Sequence, residues 1–235
     1  MRLAIMQPYF FPYQGYFQLL AAVDRFVVYD DVAFIKSGWI NRNRILTANG
    51  VAYMTVPLSG ASSFRSIRDT VCVSPQRWRD RLLRTLAEAY AHAPERDAGL
   101  ALVRAALDMA ESTSIRDVAL ASLRVVCAYA EIRTELVASS AVYENAHLQG
   151  ADRVLDICRQ ERAQQYINLP GGRALYHSTE FEARGLQLEF LEPVLEPYSQ
   201  VRSHAFVPGL SVVDAIMNLP RDALKQRLRA GQVRG

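Results

Sequence analysis

The side chains best suited to chemistry crowd into one run, Tyr29-Asp30-Asp31-Val32-Ala33-Phe34-Ile35-Lys36-Ser37-Gly38-Trp39-Ile40-Asn41-Arg42-Asn43-Arg44. Two adjacent carboxylates at a strand end can hold a metal, a ribose or an ammonium group. If the strand continues through them their side chains diverge, so only one need face a ligand. Asp30 or Asp31 could therefore position or deprotonate an amine, with Lys36 beside them as a third catalytic candidate. Lys36, Arg42 and Arg44 offer donors to phosphate. Trp39 offers a face for a base or a sugar. Asn41 and Asn43, set between these residues, complete the expected binding set.

A second run, Gln7-Pro8-Tyr9-Phe10-Phe11-Pro12-Tyr13-Gln14-Gly15-Tyr16, packs two prolines, a glycine and five aromatics into ten residues. Prolines fix the backbone, and a glycine at a helix start permits close approach or a positive φ. The helix that follows would turn free N–H groups toward an anion. Gln7, Pro8, Tyr9, Tyr13, Gly15 and Tyr16 are the substrate-binding candidates here. Of the four histidines, His92, His147, His177 and His204, none pairs at metal-ligand spacing, and no metal site is expected. His204, just before Phe206-Val207-Pro208-Gly209, is the best placed for catalysis.

The elements that must carry these runs can be read from periodicity. Residues 3–6 and 26–29 are short apolar runs that read as strands. Between them Tyr16, Leu19, Leu20 and Val23 fall on one helix face. Strand, helix and strand at this spacing make a βαβ unit, hence a parallel pair with a right-handed crossover. Both strand tips then point one way, and ligands bind there in open α/β sheets. A further strand is expected at 52–57. Ser74 and Pro75 read as a helix start, and apolar stripes predict helices through residue 131. Strands are expected again at 134–137, 165–168 and 186–191, with helices at 151–161, 211–218 and 220–228. The fold class is α/β, a parallel Rossmann-like sheet with a helical insertion. The simplest architecture is a single domain over 1–235, interrupted by the insertion at 75–131.

Composition narrows the function classes. Half the residues are hydrophobic and the formal net charge is only +3, which argues against a dedicated nucleic-acid protein but leaves room for a local basic patch. No apolar stretch reaches the ~20 residues that span a bilayer, and the first apolar run is too short for a signal peptide. Cys72, Cys127 and Cys158 are far apart and flanked by apolar residues, as buried reduced thiols are. A cytoplasmic location is the expectation. Neither a P-loop nor a G-x-S-x-G motif is present.

Ile5-Met6-Gln7-Pro8-Tyr9-Phe10-Phe11-Pro12-Tyr13, Gly15 to Leu20, Tyr29 to Val32, Lys36 and Gly38 to Leu46 resemble the WbqC-like protein family. So do Tyr166-Ile167-Asn168, Gly171-Gly172, Leu175-Tyr176 and the run from Phe206 through Ser211 to Asp214. The resemblance implies a role in bacterial surface-polysaccharide biosynthesis, with a nucleotide-linked amino sugar as partner. The reaction it implies is N-acylation of the sugar amine with an amino acid such as glycine. It also ties Ser211 and Asp214 to the site. Ser211 is a natural N-cap there, and Asp214 is expected either to pair with Arg42 or Arg44 or to take part in the cap. The strand, proline loop and helix start are similar at fold level to the nucleotidylyltransferase and pantoate–amine ligase superfamily. Its H-x-G-H motif falls on Tyr13-Gln14-Gly15-Tyr16, where phenols replace imidazoles.

Amide formation needs a free amine, a base and donors for an oxyanion. ATP with Mg²⁺, an acyl thioester and an aminoacyl-tRNA are all open as the source of activation. Nucleotidylyl transfer and non-catalytic binding of a sugar nucleotide are the alternatives, and a homodimer is an allowed assembly.

Overall fold

The computed structural model describes residues 1–110 and 112–234, the side chains of 75–77 apart. The chain runs β1 (Arg2–Met6), α1 (Gln14–Ala22), β2 (Arg25–Val28), β3 (Arg42–Thr47), β4 (Gly50–Thr55), β5 (Leu58–Ser59) and β6 (Val71–Cys72). Three helices follow, α2 (Pro75–Ala89), α3 (Arg96–Met109) and α4 (Ile115–Tyr129). Then come β7 (Glu135–Val137), α5 (Gly150–Gln160), β8 (Gln165–Asn168), α6 (Ser178–Glu182) and β9 (Gln187–Glu192). The chain closes with α7 (Val212–Asn218), α8 (Arg221–Arg227) and β10 (Gln232–Arg234).

The main sheet has the order β10-β9-β8-β1-β2-β7. Neighbours pair in parallel from β9 to β7, and β10 adds an antiparallel edge. The expected βαβ unit is present, with Ile5 opposite Val27. Because side chains alternate along a strand, each strand feeds two cores. Ala4, Phe26, Val28, Ile167 and Leu191 face α1 and the helical layer. Leu3, Ile5, Val27, Tyr166 and Leu188 face α5 and α6.

Helices α2 to α4 lie between β6 and β7 in the chain and share the first core with α1 and α7. Gly99 on α3 lets α7 come close, since a Cβ there would lie 2.4 Å from the sulfur of Met217. Helix α1 is buried over most of its surface. Its Gln18 amide donates to the carbonyls of Val194 and Arg227, at 2.8 Å each, and so pins the C-terminal segment.

Two differences from the sequence reading matter. The strand expected at 52–57 is half of a hairpin, β3 with β4, joined by a turn at Ala48-Asn49 with Gly50 at φ 90°. Glycine takes that positive φ without steric cost, which suits Gly50 to close the turn. Residues 42–47, to which the sequence reading assigned no element, form the hairpin's other strand. The edge strand β10 is also an addition; Gly231 permits it, as a Cβ there would sit 2.9 Å from Gln18 and Leu191. Among the described residues, no helix is long and apolar enough to cross a membrane.

Candidate functional site

In the sheet, β1 leads to β2 on one side, while the chain returns through β7 and α5 to β8 on the other. The strand order therefore reverses between β1 and β8, and such a point opens a crevice at the carboxyl ends of the strands. A cavity of about 720 Å³ lies there. Its floor is Ile5 and Met6 at the end of β1, Gln7 just after it, Tyr29 beyond β2, Asn168 and Leu169 at β8, and Pro193 beyond β9. Tyr9, Pro12 and Tyr13 form one wall, Trp39, Asn43 and Arg44 another, and Pro170-Gly171-Gly172 with Leu175 and Tyr176 a third.

The aromatic loop between β1 and α1 is held by its backbone. Phe11 adopts φ 41°, a conformation that side chains with a Cβ rarely take. Its N–H donates to the Ser122 hydroxyl at 3.0 Å. Its carbonyl accepts from the Asn43 amide at 2.9 Å and from the Ser211 hydroxyl at 2.7 Å. One kinked residue is thereby fixed by α4, β3 and the cap of α7 together. Ser211 also caps α7 by accepting from the Val213 N–H at 3.2 Å. Asn43 and Ser211 thus hold the loop, and Asn43 borders the cavity as well.

Arg44 is the one ionised side chain in the cavity wall among the described residues. Its guanidinium donates to the Gly209 carbonyl at 3.0 Å and stands 5.5 Å from the centre of the Trp39 ring. Its Nε is buried with no hydrogen-bond partner. Burial raises the phenol pKa of Tyr9, Tyr29 and Tyr176, and pushes that of Tyr13 up to about 12. These hydroxyls are protonated donors at neutral pH. Gly172 keeps the floor open for Asn168, because a Cβ at Gly172 would lie 2.5 Å from the Asn168 amide nitrogen.

Gln7, Tyr9, Tyr13, Trp39, Asn43 and Arg44 are the expected site residues that the structure brings together. The others lie elsewhere, for physical reasons. Asp30 is fully buried and accepts from the Ser139 hydroxyl at 2.8 Å and the Ser140 N–H at 3.1 Å. Its carboxyl is shifted upward by burial, against the opposing pull of Ser139 and of Arg116, 3.6 Å away. Asp31 binds the Ser140 hydroxyl and the Arg153 guanidinium, so the pair fastens β2 to α5. Neither carboxylate lines the cavity. Lys36 and His204 are exposed on loops outside its wall.

Asn41 turns to the Val56 carbonyl. Arg42 turns to the carbonyls of Ser37 and Gly38. Pro8 is buried behind the wall. Tyr16 is buried and donates to the Gln7 carbonyl at 2.7 Å, supporting the floor from behind. Gly15 admits the ring of Tyr13, which would lie 2.5 Å from a Cβ, and it does not take a positive φ. Asp214 pairs with neither arginine and does not join the cap. Its buried carboxylate accepts from the hydroxyls of Tyr90 at 3.0 Å and Tyr198 at 2.7 Å, and from the Gln200 amide at 2.8 Å. Three neutral donors replace the cation expected from charge alone.

The residues that site reasoning omitted come mainly from the β8 side. Asn168 at a strand end followed by Pro170-Gly171-Gly172 was the available signal. It becomes informative only once β8 is known to lie beside β1. Among the described residues no group of three or more His, Cys, Asp or Glu is arranged to hold a metal ion.

Residues 7–226 match the WbqC-like protein family. The chain belongs to that family. It is 30% identical over 225 residues to the uncharacterized protein Rv1507c of Mycobacterium tuberculosis, covering 94% of this chain and 95% of that one. No solved structure matches it. The matched span of this WbqC-like protein takes in every wall of the cavity except its floor at Ile5 and Met6.

Proposed function

We propose that this WbqC-like protein acylates the amine of a nucleotide-linked amino sugar with an amino acid such as glycine, in the cytoplasm, as a step of surface-polysaccharide biosynthesis. The observation that carries the reading is the make-up of the cavity wall: one arginine, four phenols, one indole and no carboxylate. Arg44, in the cavity wall, suits a diphosphate through its guanidinium. Trp39 suits the base or the sugar face. A wall without carboxylates disfavours an ammonium, so the bound amine loses its proton and becomes a nucleophile. The neutral phenols of Tyr9 and Tyr13 are donors for the oxyanion that forms when the amine attacks an acyl carbonyl.

The test is calorimetric titration with nucleotide-linked amino sugars, followed by mass spectrometry after adding glycine with ATP, a glycyl thioester or glycyl-tRNA in separate reactions. The expected result is binding that Arg44→Gln weakens at least tenfold, roughly what a charge-assisted phosphate contact contributes, and a product heavier by one glycyl group. Pyrophosphate release without that product would replace the reading by nucleotidylyl transfer. Binding with no product under any donor would leave a sugar-nucleotide binder.

A further inference from the structure

From Val32 to Arg68 the chain carries Lys36, Arg42, Arg44, Arg65 and Arg68 and not one Asp or Glu. The whole chain carries only +3, so the remainder is net negative and the surplus sits in this stretch. Folded, the stretch becomes the β3–β4 hairpin and its flanking loops. Arg42 is opposite Thr55 and Arg44 is opposite Tyr53, so these side chains leave the same face of the hairpin. On that face the Arg42 guanidinium lies 4.4 Å from the Tyr53 ring centre. The Trp39 and Tyr53 rings stand 6.3 Å apart. Trp39 is 38% exposed and Tyr53 52%. Lys36, Arg42 and Arg44 form no ion pair with the described residues. Since Trp39 and Arg44 also line the cavity, the face runs into it without a break.

Exposed rings interleaved with guanidinium groups, free of carboxylates, suit single-stranded nucleic acid: bases stack on the rings and phosphates meet the cations. A cavity at the end of such a face accepts the end of a strand rather than its middle. We infer that the outer part of this face, at Arg42 and Tyr53, receives the single-stranded 3′ end of an aminoacylated RNA, with its terminal ester passing Trp39 and Arg44 into the cavity where the sugar nucleotide is held. The inference rests on the acyl transfer proposed above, for which such an RNA is a donor that needs no further activation. The sugar amine nitrogen bonds to the ester carbonyl carbon and the bond from that carbon to the ribose oxygen breaks. The proton lost by the amine ends on the released ribose hydroxyl.

The test is fluorescence anisotropy with a labelled RNA hexamer ending in cytidine-cytidine-adenosine, set against a duplex of the same length and vesicles of anionic phospholipid. The hexamer is expected to bind, and more weakly as salt rises. Tyr53→Ala should weaken it about tenfold, the scale of one stacked base, while Tyr53→Phe retains binding. Tyr53 lies outside the cavity, so calorimetry on Tyr53→Ala should find sugar-nucleotide affinity unchanged. No hexamer binding, equal binding of the duplex, an unaffected Tyr53→Ala variant, or preferential capture by the vesicles overturns the inference. Sugar-nucleotide binding without hexamer binding removes the RNA platform and keeps the cavity's proposed substrate. Hexamer binding without sugar-nucleotide binding keeps the platform and removes the proposed acceptor.

Discussion

At the residue scale the informative feature is how often a polar side chain serves the backbone or another buried group instead of the cavity. Asp214 is the strongest case, a buried carboxylate facing three neutral donors. Burial outweighs those donors and raises its pKa. A carboxyl raised on folding binds its proton more tightly in the folded state, so its contribution to stability falls as pH rises from about 4 through the folded pKa. In urea unfolding, Asp214→Asn should therefore match or exceed the parent at pH 7, and that margin should shrink as pH approaches 4. Asp214→Leu, which strands three donors, should lose about 3 kcal/mol or more at either pH. A second residue-scale prediction concerns Gly15, whose Cβ position is taken by the Tyr13 ring. Gly15→Ala should leave the melting temperature nearly unchanged and weaken ligand binding, because a ring end swings away more easily than backbone. In a Tyr13→Ala background the same substitution should have no further effect on binding. Additive losses in that cycle would show that Gly15 matters for some other reason.

At the scale of elements, the acidic pair joins a strand to a helix. Asp31 and Arg153 are both almost fully buried, and Arg153 also lies 5.0 Å from the Tyr29 ring centre. Removing one partner leaves a buried charge uncompensated. Asp31→Asn is therefore expected to destabilise by about 3 kcal/mol or more, while the folded fraction keeps its affinity for cavity ligands. A large loss of affinity at unchanged stability would return Asp31 to the site. The kink at Phe11 is a second junction of elements. Asn43→Ala removes the amide shared by the Phe10 and Phe11 carbonyls. It should cost about 1–3 kcal/mol, the price of unpaired buried carbonyls, and weaken cavity binding because Tyr9 and Tyr13 lose their frame. Thermal denaturation with and without ligand separates the two effects.

For the whole molecule, the two cores on the faces of one sheet enclose every cysteine. Cys72, Cys127 and Cys158 are free and buried, and burial pushes each thiol up to about 12. At pH 8 iodoacetamide should leave the folded protein unlabelled, since the thiolate is the nucleophile, and should label all three after unfolding in urea. Labelling of one cysteine under native conditions would reveal local opening of its core. The helical layer belongs to the same design: Ser122 on α4 reaches the Phe11 N–H across 111 residues of chain. The helical layer is thus part of what shapes the cavity.

Much was legible before folding. The βαβ start, the helix stripes and the aromatic loop at a strand tip follow from local periodicity and backbone preference, which act over a few residues. The fold gathers Gln7, Tyr9, Tyr13, Trp39 and Arg44 around the cavity. Local rules could not place its far wall, because Asn168 to Tyr176 reaches the site only through the pairing of β8 with β1. Nor could they separate ligand-facing polar groups from structural ones. Asp30, Asp31 and Asp214 have the composition of a site, and burial among specific donors assigns them to the frame. Type and spacing in the chain determine which chemistry is available. Which groups meet a ligand depends on long-range pairing and desolvation, and both are properties of the folded molecule.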